Sequence, residues 1–105
     1  MTSKITVLIA DDHEFVCRGL SDILSELSEV QVVGSCRVSA DIPRMVNLHQ
    51  PLVLLLDMVW HSDQDMGIRV MKLVREISPN TRIIAMSNYP IALANAKKHG
   101  SDIVQ

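Results

Sequence analysis

Aromatic side chains are scarce in this sequence, with one Phe, one Trp and one Tyr among 105 residues, so any core must be assembled from Val, Ile, Leu and Met. A strong charge of one sign is also missing: 10 Lys and Arg stand against 12 Asp and Glu, for a net charge of -2. That balance excludes the dense basic surface which DNA binding by this segment itself would require. Cysteine is limited to Cys17 and Cys36. They fall on different predicted elements and read as buried thiols rather than a disulfide framework. No apolar run approaches the ~20 residues of a membrane span, and the opening Met1-Thr2-Ser3-Lys4 lacks the apolar stretch of a signal peptide. A cytoplasmic location with no membrane partner is the expectation. What is present, 48% hydrophobic and 21% charged residues, has the profile of one globular domain filling residues 1–105.

Apolar runs alternate with helical patterns. Residues 4–10 (KITVLIA) are rich in β-branched side chains and read as a strand; residues 14–27 set Val16, Leu20, Ile23, Leu24 and Leu27 on one helical face. Residues 30–35 form a second strand, and residues 40–49 a weaker helix with Pro43 tolerated in its first turn. The run Leu52-Val53-Leu54-Leu55-Leu56 is too apolar for a half-exposed strand and is expected at the centre of a sheet covered on both faces. A helix over 68–77 with the stripe Val70, Met71, Val74 and Ile77, a strand over 82–86, a helix over 91–99 ended by Gly100, and a final strand from 102 to 105 complete the pattern. Five strands alternating with four helices predict a doubly wound parallel α/β sheet, since helical crossovers are the short right-handed route between parallel strands.

Such sheets bind ligands beyond the carboxyl ends of their strands, near the point where strand order reverses. The residues falling there are Asp11 and Asp12 after the first strand, Asp57 after the third and Ser87 after the fourth. A helix N-cap accounts for one acid of the Asp11-Asp12 pair but leaves the other without a purpose. Three carboxylates brought together raise one another's pKa unless a cation sits among them, and Mg²⁺, an oxygen-seeking ion, suits that role. Asp57 is then placed as a nucleophile toward phosphorus, and Ser87 as a hydroxyl donor to a phosphate oxygen. Ser87 and Asn88 also suit the cap of the helix that follows. The four histidines, His13, His49, His61 and His99, are scattered along the chain and read as surface or helix-end residues, with His13 flanking the acidic pair. Trp60 reads either as a partner anchor or as an aromatic folded over the rim of the site.

VLIADDHEFVCRGL, the strand ending in Asp57, Ser87 after the fourth strand and the late Gly100-Ser101-Asp102 together resemble the receiver domain of bacterial two-component response regulators, especially those with LuxR/NarL-type DNA-binding output. The resemblance covers essentially the whole chain. It implies a flavodoxin-like sheet of strand order 2-1-3-4-5 whose C-terminal helix is missing from this sequence. Asp57 would be the phosphoacceptor, and Mg²⁺ would be held by Asp11, Asp12, Asp57 and the backbone carbonyl of Val59. Ser87 would be the phosphate-sensing hydroxyl. The partners implied are a sensor histidine kinase and a second copy in a homodimer, with DNA reached only through a domain absent from this chain. The chain would act as a phosphoacceptor and not as an enzyme, beyond self-phosphorylation and autodephosphorylation.

The pattern is not met everywhere. Met58 to Gly67 lacks the family's Pro after the acceptor and is about two residues longer. The segment from Ser87 to Gly100 is a couple of residues short. The family's phosphate-pairing lysine would fall one or two residues past Gln105, and its aromatic switch position holds Val104 or a neighbour. These departures motivate an alternative, a degenerate receiver serving as a phosphorylation-independent interaction module. A small metal-dependent phosphohydrolase is a third reading, set back by the lack of a lid or a separate general acid.

Overall fold

The protein is described by a computed structural model covering residues 4–104. Its elements run β1 (Ile5–Ala10), α1 (Glu14–Ser25), β2 (Val30–Cys36), a single 3-10 turn (Ser39–Asp41) leading into α2 (Ile42–His49), β3 (Val53–Asp57), α3 (Met66–Ile77), β4 (Arg82–Met86), α4 (Pro90–Lys98) and β5 (Ile103–Val104). Every strand pairing is parallel. The longer strands lie in the order β2-β1-β3-β4, and the sheet's outermost position beyond β4 is taken by β5. That last element is a stub, pairing only Ile103 with Ile84 and Val104 with Ala85. The expectation of five strands is therefore met by full-length strands only as far as β4. Gln105, the lysine expected beyond it and the side chain of Val104 lie outside the described residues.

Strand order reverses between β1 and β3, and their register decides what meets there. Ala10 pairs with Leu56, so Asp11 and Asp57, each one residue on, leave the sheet side by side. Asp57 pairs with Met86, which sets Ser87 just past the same edge.

Two layers of apolar packing hold that frame. On one face Leu8, Leu54, Leu56, Ile83 and Ala85 meet Ile42 and Val46 of α2 and Val70, Met71 and Val74 of α3. On the other, Val7, Ile9 and Cys17 form a smaller cluster joined by Leu20, Leu24, Val53 and Leu55. The alternating residues of β3 thus serve both faces, as its continuous apolar run implies. The helix α1 departs from the expected stripe. Cys17 is its buried residue, with Leu20 and Leu24 partly covered, whereas Val16, Ile23 and Leu27 are exposed. The small thiol at position 17 sits on the same face as Leu20 and Leu24, three and seven residues on, and that spacing fixes the helix's rotation.

Helix α3 starts at Met66, two residues before the position periodicity indicates. Gly67 belongs to its first turn because α3 enters tightly against the preceding loop. A Cβ at Gly67 would lie 2.5 Å from Met58 Cα and 2.7 Å from Met58 O, and Gly67 N–H donates to that carbonyl at 3.2 Å. Here glycine is required for close approach rather than for a turn.

Candidate functional site

The acids and the hydroxyl singled out in the sequence meet at the C-terminal edge of the sheet, around an open depression of about 620 Å³ lined by Asp11, Asp12, Asp57, Val59 and Ser87 among others. Asp11 and Asp57 are 5% and 7% exposed. One carboxylate oxygen each from Asp11, Asp12 and Asp57, together with a ring nitrogen of His13, lie within 4.8 Å of one another. Neither acid of the opening pair is the N-cap of α1. That position belongs to His13, without a side-chain cap, and Asp11 Oδ1 instead accepts the His13 N–H at 2.8 Å. Asp11 is thereby aimed across β1 toward Asp57, and the side chain of Asp12 is left to the cavity.

Each carboxylate is held differently. Asp57 Oδ1 accepts the Val59 N–H at 3.2 Å. Burial pushes the Asp57 carboxyl up to about 7; the Val59 N–H and His13 work against this, and the charges of Asp11 and Asp12 add to it. His13 Nδ1 lies 2.9 Å from Asp11 Oδ1 and 3.1 Å from Asp12 Oδ1. Its hydrogen bond to Asp11 and the charges of Asp12 and Asp11 hold this imidazole above its ordinary pKa. Asp12 Oδ2 accepts the His61 N–H at 3.1 Å, with His61 Nδ1 3.6 Å away. Asp12 Oδ1 is buried and has no hydrogen-bond partner.

That buried oxygen, which accepts no hydrogen bond and has the exposed imidazole of His13 as its ion-pair partner, tests whether the residues suit a divalent cation. Three carboxylates this close repel one another unless a cation sits among them, and a hard-oxygen donor set of this kind matches Mg²⁺. The residues fit.

The loop after β3 holds what sequence reasoning missed. Trp60 neither anchors a partner nor covers the rim: it is buried in the main core, and its indole N–H donates to the carbonyl of Asp57. Trp60 and Asp63 exchange two backbone hydrogen bonds, of 3.1 and 2.8 Å, closing a two-residue turn on His61 and Ser62. Both turn residues have positive φ, 48° and 67°, as a hairpin turn of this kind demands. The extra length of the segment is thus a small hairpin that delivers the His61 N–H to Asp12. No turn signal such as Asn-Gly announces it in the sequence. Across the cavity, Ser87 Oγ accepts the Tyr89 N–H at 3.0 Å. Tyr89 itself is the N-cap residue of α4 and has no side-chain cap. The Ser87 hydroxyl therefore supports the entry to α4 with its oxygen. His13, His61 and Tyr89 join the lining; His13 adjoins the Asp pair in sequence, the one signal that pointed to it.

The described residues include no helix long and apolar enough to cross a membrane. Residues 7–104 match the model of the response regulator receiver domain. Among curated proteins the chain is 32% identical over 85 residues to the response regulator protein VraR of Staphylococcus saprophyticus, covering 81% of this chain and 40% of that protein. It is 32% identical over 83 residues to the oxygen regulatory protein NreC of Staphylococcus carnosus, covering 79% and 38%. It thus spans about two-fifths of the length of these relatives. Among solved structures, the signal receiver domain of the response regulator NarL from Mycobacterium tuberculosis superposes with a TM-score of 0.83 at 27% identity, over 98% of this chain and 83% of that one. The isolated receiver domain of RcsB from Salmonella enterica serovar Typhimurium, solved with the phosphomimetic BeF3-, gives 0.84 at 25% identity, over 98% and 77%. With register, acid cluster and family match in agreement, the chain belongs to the response regulator receiver domains, and its relatives are regulators of the NarL/LuxR type.

Proposed function

We propose that the chain takes a phosphoryl group on Asp57 in a Mg²⁺-dependent reaction and thereby switches an output that lies outside it. The observation carrying this reading is the convergence of Asp11, Asp12 and Asp57 at one sheet edge, their ligand oxygens within 4.8 Å. A carboxylate oxygen of Asp57 attacks phosphorus. The new P–O bond forms as the bond to the donor breaks, and its electron pair leaves with the imidazole nitrogen of a kinase phosphohistidine or the acetate of acetyl phosphate. Asp11, Asp12, Asp57 and the Val59 carbonyl would hold Mg²⁺, which when bound neutralises charge on the transferring oxygens. The Val59 N–H orients Asp57, and Ser87 lines the cavity where its hydroxyl hydrogen can meet a phosphoryl oxygen.

The bound dianion then biases a conformational equilibrium. The NarL/LuxR kinship supports transcriptional output through a DNA-binding domain, a sensor histidine kinase as donor, homodimerisation on activation and a cytoplasmic setting. The chain serves as a phosphoacceptor without catalytic turnover of an outside substrate. The degenerate-receiver alternative is not favoured, because all three acids are retained and brought together. Incubation with acetyl phosphate, with and without Mg²⁺, followed by intact mass measurement tests the reading: one added phosphoryl group is expected with Mg²⁺ and none for Asp57→Asn. Equal labelling of that variant would move the acceptor elsewhere.

A further inference from the structure

We infer that His13 Nδ1 is a direct ligand of the cation at this site and tilts its choice from Mg²⁺ toward first-row transition dications such as Ni²⁺. The inference rests on the reading that Asp11, Asp12 and Asp57 hold a cation, and it concerns which cation that is. Donors at neighbouring corners of an octahedral ion with bonds of about 2.1 Å lie about 3.0 Å apart, and opposite donors about 4.2 Å apart. His13 Nδ1 stands 2.9 Å from Asp11 Oδ1 and 3.1 Å from Asp12 Oδ1, and the four donor atoms of Asp11, Asp12, His13 and Asp57 lie within 4.8 Å of one another. Without a cation that spacing is a hydrogen bond and an ion pair; once Nδ1 gives up its proton, the same spacing suits neighbouring ligands of one cation.

Asp12 supplies the independent observation. Its side chain is 8% exposed, and its buried Oδ1 accepts no hydrogen bond but stands 3.1 Å from His13 Nδ1. The His61 N–H occupies the other oxygen. The hairpin thus turns one oxygen of Asp12 toward the loop and leaves the other to the cluster.

Mg²⁺ prefers oxygen donors and keeps its waters, whereas imidazole suits the transition dications, whose affinities for mixed nitrogen and oxygen sites rise along the series to copper. An all-oxygen cradle already binds a transition dication at least as tightly as Mg²⁺, and one nitrogen among the carboxylates widens that gap.

Calorimetric titration of the protein with Mg²⁺ and with Ni²⁺, on the wild type and on His13→Gln, His49→Gln and Asp12→Asn, decides the matter. Ni²⁺ is expected to bind about 100-fold tighter than Mg²⁺, and His13→Gln to weaken Ni²⁺ at least about 10-fold while changing Mg²⁺ by less than about 3-fold. His49→Gln should move neither, because His49 ends α2 outside the cavity lining. In NMR spectra, Ni²⁺ should shift and broaden the ring resonances of His13, and Mg²⁺ should not. Unchanged Ni²⁺ affinity in His13→Gln, an equal loss for both ions, or Ni²⁺ binding that survives Asp12→Asn would overturn the inference, while Mg²⁺ binding by the wild type would still support the acid-site reading. Wild-type protein that binds neither ion would overturn the acid-site reading as well.

Discussion

The two edges of the sheet treat the same side chain in opposite ways. At the N-terminal edge, Asp102 Oδ2 accepts the Ile83 N–H at 2.8 Å and Arg75 at 2.9 Å, with Arg82 3.7 Å from its other oxygen. Burial raises its carboxyl, but the Ile83 N–H and the two guanidinium groups outweigh burial and hold it below the usual range. Nearby, buried Ser78 and Thr81 bond to each other at 2.6 Å, and Thr81 donates to the carbonyl of Pro51. At the C-terminal edge, Asp57 is pushed up to about 7 and one buried oxygen of Asp12 accepts no hydrogen bond. One edge pairs its carboxylate with an N–H and two guanidinium groups; the other gathers three carboxylates. The first arrangement favours stability, and the second is the kind that functional sites use.

The largest effect should come from breaking the satisfied edge. Asp102→Ala strands the Ile83 N–H and removes the ion pair with Arg75, which keeps its bonds to the carbonyls of Thr81 and Gly100, and is expected to destabilise the fold by about 2–3 kcal/mol, measured by urea denaturation at pH 7, with Mg²⁺ affinity unchanged. A depressed carboxyl contributes stability that is present above its unfolded value of 3.8 and is lost as pH falls through the folded value. The deficit should therefore shrink as pH falls below 3.8 and Asp102 takes up its proton. A deficit independent of pH would assign the loss to packing instead.

The opposite edge should respond with the opposite sign. Asp57 has its folded pKa raised from 3.8 to about 7, so between those values the folded state binds more protons than the unfolded one. Stability then falls as pH rises through that window and levels off above it. Asp57→Asn removes the slope. It should match wild type near pH 4 and exceed it by about 2 kcal/mol at pH 8, after allowance for screening in an open cavity. A variant less stable than wild type at pH 8 would show that ionised Asp57 is not penalised by its burial and its acidic neighbours.

The same contrast explains what could be read from the sequence. The parallel α/β order and the gathering of Asp11, Asp12, Asp57 and Ser87 were legible because apolar runs fix strands, and parallel strands put their C-terminal residues on one edge. The rotation of α1 was not, because Cys17 carries little hydrophobic signal beside Val16 and Ile23. Trp60 misled because a polar sequence surrounds it, while its burial depends on the long-range packing of the loop on the main core. The His61–Ser62 turn was hidden for a further reason: positive φ in residues other than Gly, Asn or Asp is set by the closure of the loop and not by local preference.

A ligand should convert the second edge into something like the first. At a Mg²⁺ concentration tenfold above its Kd, wild type should gain about 1.4 kcal/mol, and its pH slope between 4 and 7 should flatten as the cation takes over from protons. Asp12→Ala should lose both responses. Thermal denaturation in matched Mg²⁺ and chelator buffers checks this, and an undiminished gain in Asp12→Ala would remove Asp12 from the cation's ligands.

The smallest effect separates backbone strain from charge within the functional edge itself. Ser62 is exposed and held at φ 67°, a region that costs a non-glycine residue about 1–2 kcal/mol. Ser62→Gly relieves that cost, but glycine also gives the unfolded chain more freedom, worth about 0.5–1 kcal/mol. The net expectation is a gain of about 0.5 kcal/mol, read from the denaturation midpoint. Ser62→Ala, which keeps the Cβ, should gain nothing. Because the Trp60–Asp63 closure and the His61 N–H to Asp12 remain in place, the gain should be the same at pH 5 and pH 8. A gain that grew with pH would mean instead that the turn transmits its strain to the carboxylates, joining the backbone of the hairpin to the electrostatics of the acid cluster.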